Sequence, residues 1–329
     1  ARPGRHQTPN THRCTGLCGT PLLEVKEFSL SFPQYKDGLE PTYIQVIRDF
    51  ELTIHPGEIV AVVGASGSGK SLLADSILGI LPDNAETQGT LLFEGDALTK
   101  ERQEVLRGKD IALIPQSVKA LDPLMRTSRQ VQSVIGDKKN RKKIQEEAFR
   151  KLGLPPETGR KYPFELSGGM ARRVLIATAM VSQAKLIIAD EPTPGLDQEA
   201  WEETLHHIKQ LSKANSGVMF ITHDIHAALK IADRIAVFYA GETIEVANIE
   251  DFSGDGERLR HPYTKALWRA LPENDFMALA GNQPEAEEVF TGCVFEPRCP
   301  IATDYCKQNK PQSAVVDNGI TRCFYAKGQ

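Results

Sequence analysis

One octapeptide constrains this chain more than any other feature. The run Ile59–Val63 (IVAVV) holds nothing polar, and Gly64-Ala65-Ser66-Gly67-Ser68-Gly69-Lys70-Ser71 follows it at once, leading into a helix-patterned segment at 71–81 that should end before Pro82. An uninterrupted apolar run of that length reads as a strand buried on both faces. The glycines let the chain turn sharply and bring backbone N–H groups inward, and the helix N-terminus adds positive potential. Strand, glycine-rich turn and helix in this order make a phosphate-cradling loop, for which Gly64, Ser66, Gly67, Ser68, Gly69 and Leu72 supply the frame. Lys70 is then the group that reaches the β/γ-phosphates of a nucleotide, and Ser71 a ligand for Mg²⁺.

A loop of this kind needs a parallel sheet behind it, and the rest of the chain supplies one. Segments 22–32 and 44–54 alternate apolar and polar residues, 89–98 reads as a hairpin, and 110–116 is a buried strand ending at Gln116. Strand texture returns at 185–192, 217–224 and 234–246, separated by helical segments at 201–214 and 224–232. Residues 117–183 are helical and polar; their basic stretch 138–143 reads as a solvated helix face. Alternating strands and helices predict a mostly parallel α/β sheet interrupted by a helical insertion.

Two carboxylates end one of those apolar strands, at Asp190 and Glu191. Opposite a phosphate loop, Asp190 suits a Mg²⁺ ligand and Glu191 a base that orients or deprotonates an attacking water. His223 ends the next apolar run, at the same carboxyl edge of the sheet, within reach of a γ-phosphate.

Charge and hydropathy remove other classes. With 39 Lys and Arg against 43 Asp and Glu, the net charge of −4 carries no basic footprint for nucleic acid. No apolar stretch approaches the roughly 20 residues a bilayer span requires, and residues 1–20 are polar, without the apolar core of a signal peptide. They read as a disordered arm holding Cys14 and Cys18.

At this point the motifs carry a family resemblance. Phe164-Glu165-Leu166-Ser167-Gly168-Gly169-Met170 resembles the signature of ATP-binding-cassette (ABC) ATPases. Gln116 resembles that family's Q-loop glutamine, Pro194-Gly195-Leu196-Asp197 its D-loop, and His223 its switch histidine. The resemblance runs over roughly 22–250 with every motif in order. It implies a RecA-like P-loop NTPase fold with a helical subdomain at about 117–183, ATP and Mg²⁺ as ligands, and Gln116 joining Ser71 and Asp190 at the metal. It further implies that two subunits close head to tail, so that Ser167, Gly168 and Gly169 act on the partner's ATP, with Asp197 at the same interface. Phe32 is the expected aromatic residue on adenine, Tyr43 the weaker choice. Met170 and Gly195 depart from the commoner residues of the signature and D-loop, which points to a second ATPase subunit that is not identical.

The tail, 251–329, is Gly-, Pro- and Cys-rich and reads as a small separate extension. His261-Pro262-Tyr263-Thr264-Lys265-Ala266-Leu267 and the segment 292–300 (GCVFEPRCP) resemble the C-terminal extension of oligopeptide/dipeptide/nickel importer ATPases. That implies two membrane permeases, an extracytoplasmic binding protein and a peripheral position on the cytoplasmic face of the membrane. Peptides are the expected cargo, nickel or a metallophore the alternative. A soluble ABC ATPase of DNA repair or translation is more distant, because the chain has one P-loop, one signature and a short insertion. Four of the six cysteines follow the spacing Cys293-x5-Cys299-x6-Cys306-x16-Cys323. No tight C-x2–4-C pair of the structural zinc type occurs. The spacing favours a [4Fe–4S] cluster that staples the tail, with zinc, free thiols or disulfides as alternatives.

Overall fold

The IVAVV strand sits at the centre of the molecule. The computed structural model describes residues 19–35, 41–275, 283–284, 288 and 290–326. Most of the expected N-terminal arm, with Cys14 and Cys18, lies outside the described residues. Strand β3 (Ile59–Val63) is buried at every position. Its alternate residues serve different cores: Ile59, Ala61 and Val63 pack on one face, Val60 and Val62 on the other. A two-residue side-chain period in a strand covered on both faces requires this.

Among the described residues two sheets form. The first is antiparallel, built from β1 (Leu23–Tyr35), β2 (Pro41–Ile54), β4 (Glu86–Phe93) and β5 (Asp96–Ala97) in the order β2-β1-β4-β5. The second contains β3, β6 (Ile111–Ile114), β7 (Leu186–Asp190), β8 (Gly217–Thr222), β9 (Arg234–Tyr239), β10 (Glu242–Asn248), β11 (Ala314–Val316) and β12 (Gly319–Thr321), ordered β11-β12-β10-β9-β3-β8-β7-β6. From β6 to β9 its pairings are parallel. Strands β3, β6, β7 and β8 therefore deliver the phosphate loop, Gln116, Glu191 and His223 to one carboxyl edge.

Helix α1 (Lys70–Leu78) leaves the phosphate loop. It stops earlier than its apolar pattern suggests, because Gly79 turns left-handed (φ 68°) and its N–H caps the carbonyls of Asp75 and Ser76. Helix α2 (Lys100–Leu106) crosses near its end. The helical insertion holds α3 (Thr127–Ser133), α4 (Arg141–Lys151) and α5 (Gly168–Ser182). Helices α6 (Gln198–Lys213) and α7 (Ile225–Ile231) link the parallel strands. Among the described residues no helix is long and apolar enough to cross a membrane.

The tail departs from the expected separate extension. Strands β11 and β12 add an antiparallel hairpin to β10 and so lengthen the sheet of the cassette itself. Helix α8 (Pro262–Arg269) and the short α9 (Asp304–Gln308) accompany it. Phe295, 1% exposed, packs edge-on to Tyr239 of β9 at 5.4 Å and to Tyr263 of α8 at 5.4 Å, inside the same apolar core as β3. The composition changes near residue 250, but the core is continuous across that point.

His261 marks the join. It caps α8, its Nδ1 accepting from the N–H of Tyr263 at 3.1 Å. Complete burial pushes its pKa from the ordinary 6.5 down to about 3. The folded chain thus refuses a proton that the unfolded chain takes up below pH 6.5. Its contribution is present above that pH and is lost as pH falls toward about 3, at about 1.4 kcal/mol per pH unit. Urea unfolding of wild type and His261→Asn, which keeps a capping acceptor, is expected to show a shallower pH slope in the variant through this window. Equal slopes would remove His261 from the acid sensitivity of the fold.

Candidate active site

The phosphate loop has little room for side chains at its two ends. A Cβ on Gly64 would stand 2.7 Å from the Phe238 carbonyl oxygen of β9, and Gly69 combines φ 95° with a Cβ position 2.8 Å from Val46. Both must be glycine for the loop to lie between β2 and β9. Lys70, 4% exposed, folds back under this loop: Nζ donates to the carbonyls of Gly64 (2.8 Å) and Ala65 (2.6 Å) and to Ser68 Oγ (3.3 Å). Burial lowers its pKa, and the carboxylates of Glu191 and Asp190 work against that shift.

The acidic pair lies opposite. Ser71 Oγ donates to Asp190 Oδ1 at 3.1 Å. Asp190 has its pKa raised, by burial first and then by the neighbouring charges of Glu191 and Asp75. Glu191 is buried, and its carboxylate is bracketed: Oε1 stands 3.8 Å from Lys70 Nζ, and Oε2 stands 2.9 Å from His223 Nδ1. Its backbone has φ 44°, a left-handed conformation that a non-glycine residue holds only under constraint. The Glu191 N–H donates to Ile221 O of β8 at 2.9 Å, which ties the strained residue to the neighbouring strand. Lys70, Ser71, Asp190, Glu191 and His223 thus lie in one connected group.

The other expected residues occupy different surroundings. Gln116 is exposed just beyond β6. Ser167 is an exposed N-cap whose hydroxyl accepts from Met170 N at 3.2 Å, and a Cβ on Gly168 or Gly169 would meet nothing within 4 Å. The N-terminus of α5 is therefore open for close approach from outside. Asp197 is likewise exposed and caps α6 by accepting from Ala200 N at 2.9 Å. Phe32 is half-buried against the core under β1, and Tyr43 is 52% exposed. A cavity of about 320 Å³ opens beside Ser66, Gly67 and Ser68; neither aromatic ring lines it, whereas Gln283 and Pro284 of the tail do. Sequence reading missed those two because nothing in their local pattern ties them to the phosphate loop.

None of the four tail cysteines forms a disulfide. Cys293 N donates to Cys306 O at 2.8 Å, and Thr303 Oγ1 lies 3.6 Å from Cys306 Sγ. Burial pushes the Cys293 thiol up to about 11, and Cys306, Cys323 and Cys299 each oppose its ionisation. Cys299 and Cys323 are raised by burial and by Cys306 in the same way. The expectation of a formed metal centre is not met: among the described residues no three His, Cys, Asp or Glu side chains are grouped so as to hold a metal ion.

The fold and this edge define a class. Residues 47–194 match the ABC transporter family. The solved dimeric ABC transporter cassette MJ0796 superposes with a TM-score of 0.59 at 26% identity, covering 69% of this chain and 98% of that one. The ATP-binding subunit of another ABC transporter shares the fold at the same TM-score and 24% identity, covering 70% and 91%. The class is the ABC-type nucleotide-binding ATPases.

Residues 244–306 add a match to the oligopeptide/dipeptide transporter C-terminal region. The chain is 34% identical to the dipeptide transport ATP-binding protein DppD of Haemophilus influenzae, over 92% of its own length and 94% of that protein. It is 36% identical to the oligopeptide transport ATP-binding protein OppD of Bacillus subtilis, over 93% and 89%. It belongs to the family of ATP-binding subunits of oligopeptide and dipeptide ABC transporters, which are ATPases coupled to transport.

Proposed function

We propose that this chain binds and hydrolyses ATP to drive import of dipeptides or oligopeptides through a membrane complex. The observation that carries the reading is the bracketed carboxylate of Glu191, held between Lys70 and His223 at the sheet edge where the phosphate loop ends. In this reading the loop N–H groups from Gly64 to Leu72 and the Lys70 ammonium hold the phosphates. Ser71, Asp190 and Gln116 would hold Mg²⁺. The residues fit a divalent cation: a hydroxyl and a carboxylate already meet, and Asp190 is a crowded acid whose raised pKa a cation would reverse. A cation held by these residues would supply charge neutralisation for the transferring phosphoryl group. Glu191 Oε2 accepts the proton of the attacking water, and His223, sharing that oxygen, fixes the direction of the carboxylate. Phe32 stacks on adenine, with Tyr43 as the second choice.

Ser167, Gly168 and Gly169 act across a dimer interface. Their exposed helix end faces the γ-phosphate of a second ATPase subunit, and Asp197 lies at the same contact. Met170 and Gly195 favour a non-identical partner. Two permeases and an extracytoplasmic binding protein complete the assembly, with this chain on the cytoplasmic face. The limits of the cassette are taken as 21–250, with its helical subdomain at about 117–183, and the tail as 251–329.

The finer part of the reading concerns the tail thiols. The spacing Cys293-x5-Cys299-x6-Cys306-x16-Cys323, without a tight C-x2–4-C pair, suits a [4Fe–4S] cluster better than zinc. Cys293, Cys299, Cys306 and Cys323 would hold it as thiolates, and its role would be to staple the tail.

The complex reconstituted with its permeases is expected to show ATPase activity stimulated by peptide-loaded binding protein. Stimulation by a nickel chelate and by no peptide would replace the cargo assigned here. The same preparation, purified anaerobically, is expected to contain iron and sulfide; stoichiometric zinc without iron would overturn the cluster.

A further inference from the structure

The tail returns to the phosphate loop. The cavity of about 320 Å³ beside Ser66, Gly67 and Ser68 is lined on other sides by Val46 and by Gln283 and Pro284. That volume falls at the lower end of small-molecule sites, about 300–1,000 Å³. It lies next to the loop that would hold phosphates, so a bound nucleotide must extend either into it or away from it.

The chemistry of the lining decides which part of a nucleotide belongs there. Its loop side, Ala65 to Ser68, belongs to the phosphates, and Lys70, Ser71 and Asp190 are not among its lining residues. Gln283 and Pro284 bring no charge. The Gln283 Nε2 donates to Tyr263 Oη at 3.1 Å. A glutamine amide has a second N–H and a carbonyl beyond that bond, a donor and an acceptor suited to ribose hydroxyls. Pro284 offers an apolar ring without an N–H.

A buried aromatic cluster stands behind Gln283. Tyr263 is 7% exposed and lies against Tyr239 at 4.6 Å and Phe295 at 5.4 Å. Further along the tail, Arg48 of β2 donates to the Glu288 carbonyl at 2.8 Å and lies over the Phe290 ring at 5.4 Å. Arg48 is two residues from Val46, and its N–H donates to Gly241 O at 2.7 Å. The strand that supplies one wall of the cavity therefore also anchors the tail that supplies another.

We propose that Gln283 and Pro284 contact the ribose of the ATP held in the same subunit, Gln283 by a hydrogen bond to a ribose hydroxyl and Pro284 by packing, leaving the base to Phe32. The tail then completes the nucleotide pocket in cis. This inference rests on the nucleotide site assigned above. Calorimetric titration of the full-length protein with ATP and, separately, with inorganic tripolyphosphate tests it. Gln283→Ala is expected to weaken ATP binding about 3- to 10-fold, the worth of one neutral hydrogen bond, and to leave tripolyphosphate binding unchanged. Pro284→Gly is expected to shift ATP in the same direction. Unchanged ATP affinity in both variants, or equal losses for ATP and tripolyphosphate, would overturn the proposal. Lys70→Ala separates the two readings: it should weaken both ligands, and if it weakens neither, the nucleotide site itself is wrongly assigned.

Discussion

Glu191→Gln is expected to lower ATP turnover of the assembled complex by at least about 10²-fold while ATP binding survives, the range associated with removing a positioned general base. The substitution keeps the shape of the side chain. It also leaves an amide oxygen that can face His223 Nδ1, 2.9 Å from the present carboxylate. What is lost is the capacity to take a proton, together with one of the negative charges that now hold up the pKa of the buried Lys70. Neither loss removes the backbone donors of the phosphate loop or the Ser71–Asp190 pair, so nucleotide should remain bound. The comparison is single-turnover hydrolysis against ATP retained per complex. Wild-type-like turnover would strip Glu191 of the role of base. Loss of ATP binding would instead make it a structural prop for Lys70, 3.8 Å away.

The parts of the site that were legible in the sequence are those where a local pattern and a chemical need coincide. Ile59–Val63 could be read because a strand buried on both faces has no polar residue to show. The phosphate loop could be read because glycine is required where Gly64 meets β9 and Gly69 meets Val46. Asp190, Glu191 and His223 followed because parallel strands end on one edge. Helix α1 was read too long: its apolar pattern continues past Gly79, and only the left-handed cap at that residue stops it.

The tail was not legible in the same way. Strands β11 and β12 are three residues each, too short to display a period, and their pairing with β10 depends on residues far away in sequence. Gln283 stands 217 residues beyond Ser66, which shares its cavity (283 − 66). No local pattern encodes such a contact. The cysteine spacing was visible, yet spacing alone does not set how closely four thiols come together.

Arg260→Met is expected to destabilise the whole chain, by about 3–5 kcal/mol, the cost of breaking a buried ion pair from one side. Arg260 is 5% exposed, and Glu245, in the middle of β10, is 0% exposed. The Arg260 guanidinium lies 3.4 Å from Glu245 Oε1 and donates to Asp251 Oδ2 at 2.8 Å. It also donates to the carbonyl of Val316 at 2.6 Å and to that of Asp317, at the turn between β11 and β12. One side chain thus neutralises the acid at the cassette edge and satisfies the hairpin that extends the sheet. Burial already raises the pKa of Glu245. Without the arginine its charge would rest on the N–H groups of residues 260 and 261. Methionine matches much of the aliphatic volume, so the loss measured by urea unfolding reports the charge and its hydrogen bonds more than a cavity. Adding Glu245→Gln should recover part of the loss, since the double variant no longer buries the Glu245 carboxylate and keeps only Asp251, which still accepts from the Asn248 N–H at 3.2 Å. If the single variant loses less than about 1 kcal/mol, the value of an exposed pair, the tail hairpin and the cassette edge are held together by apolar packing around Phe295 and not by this ion network.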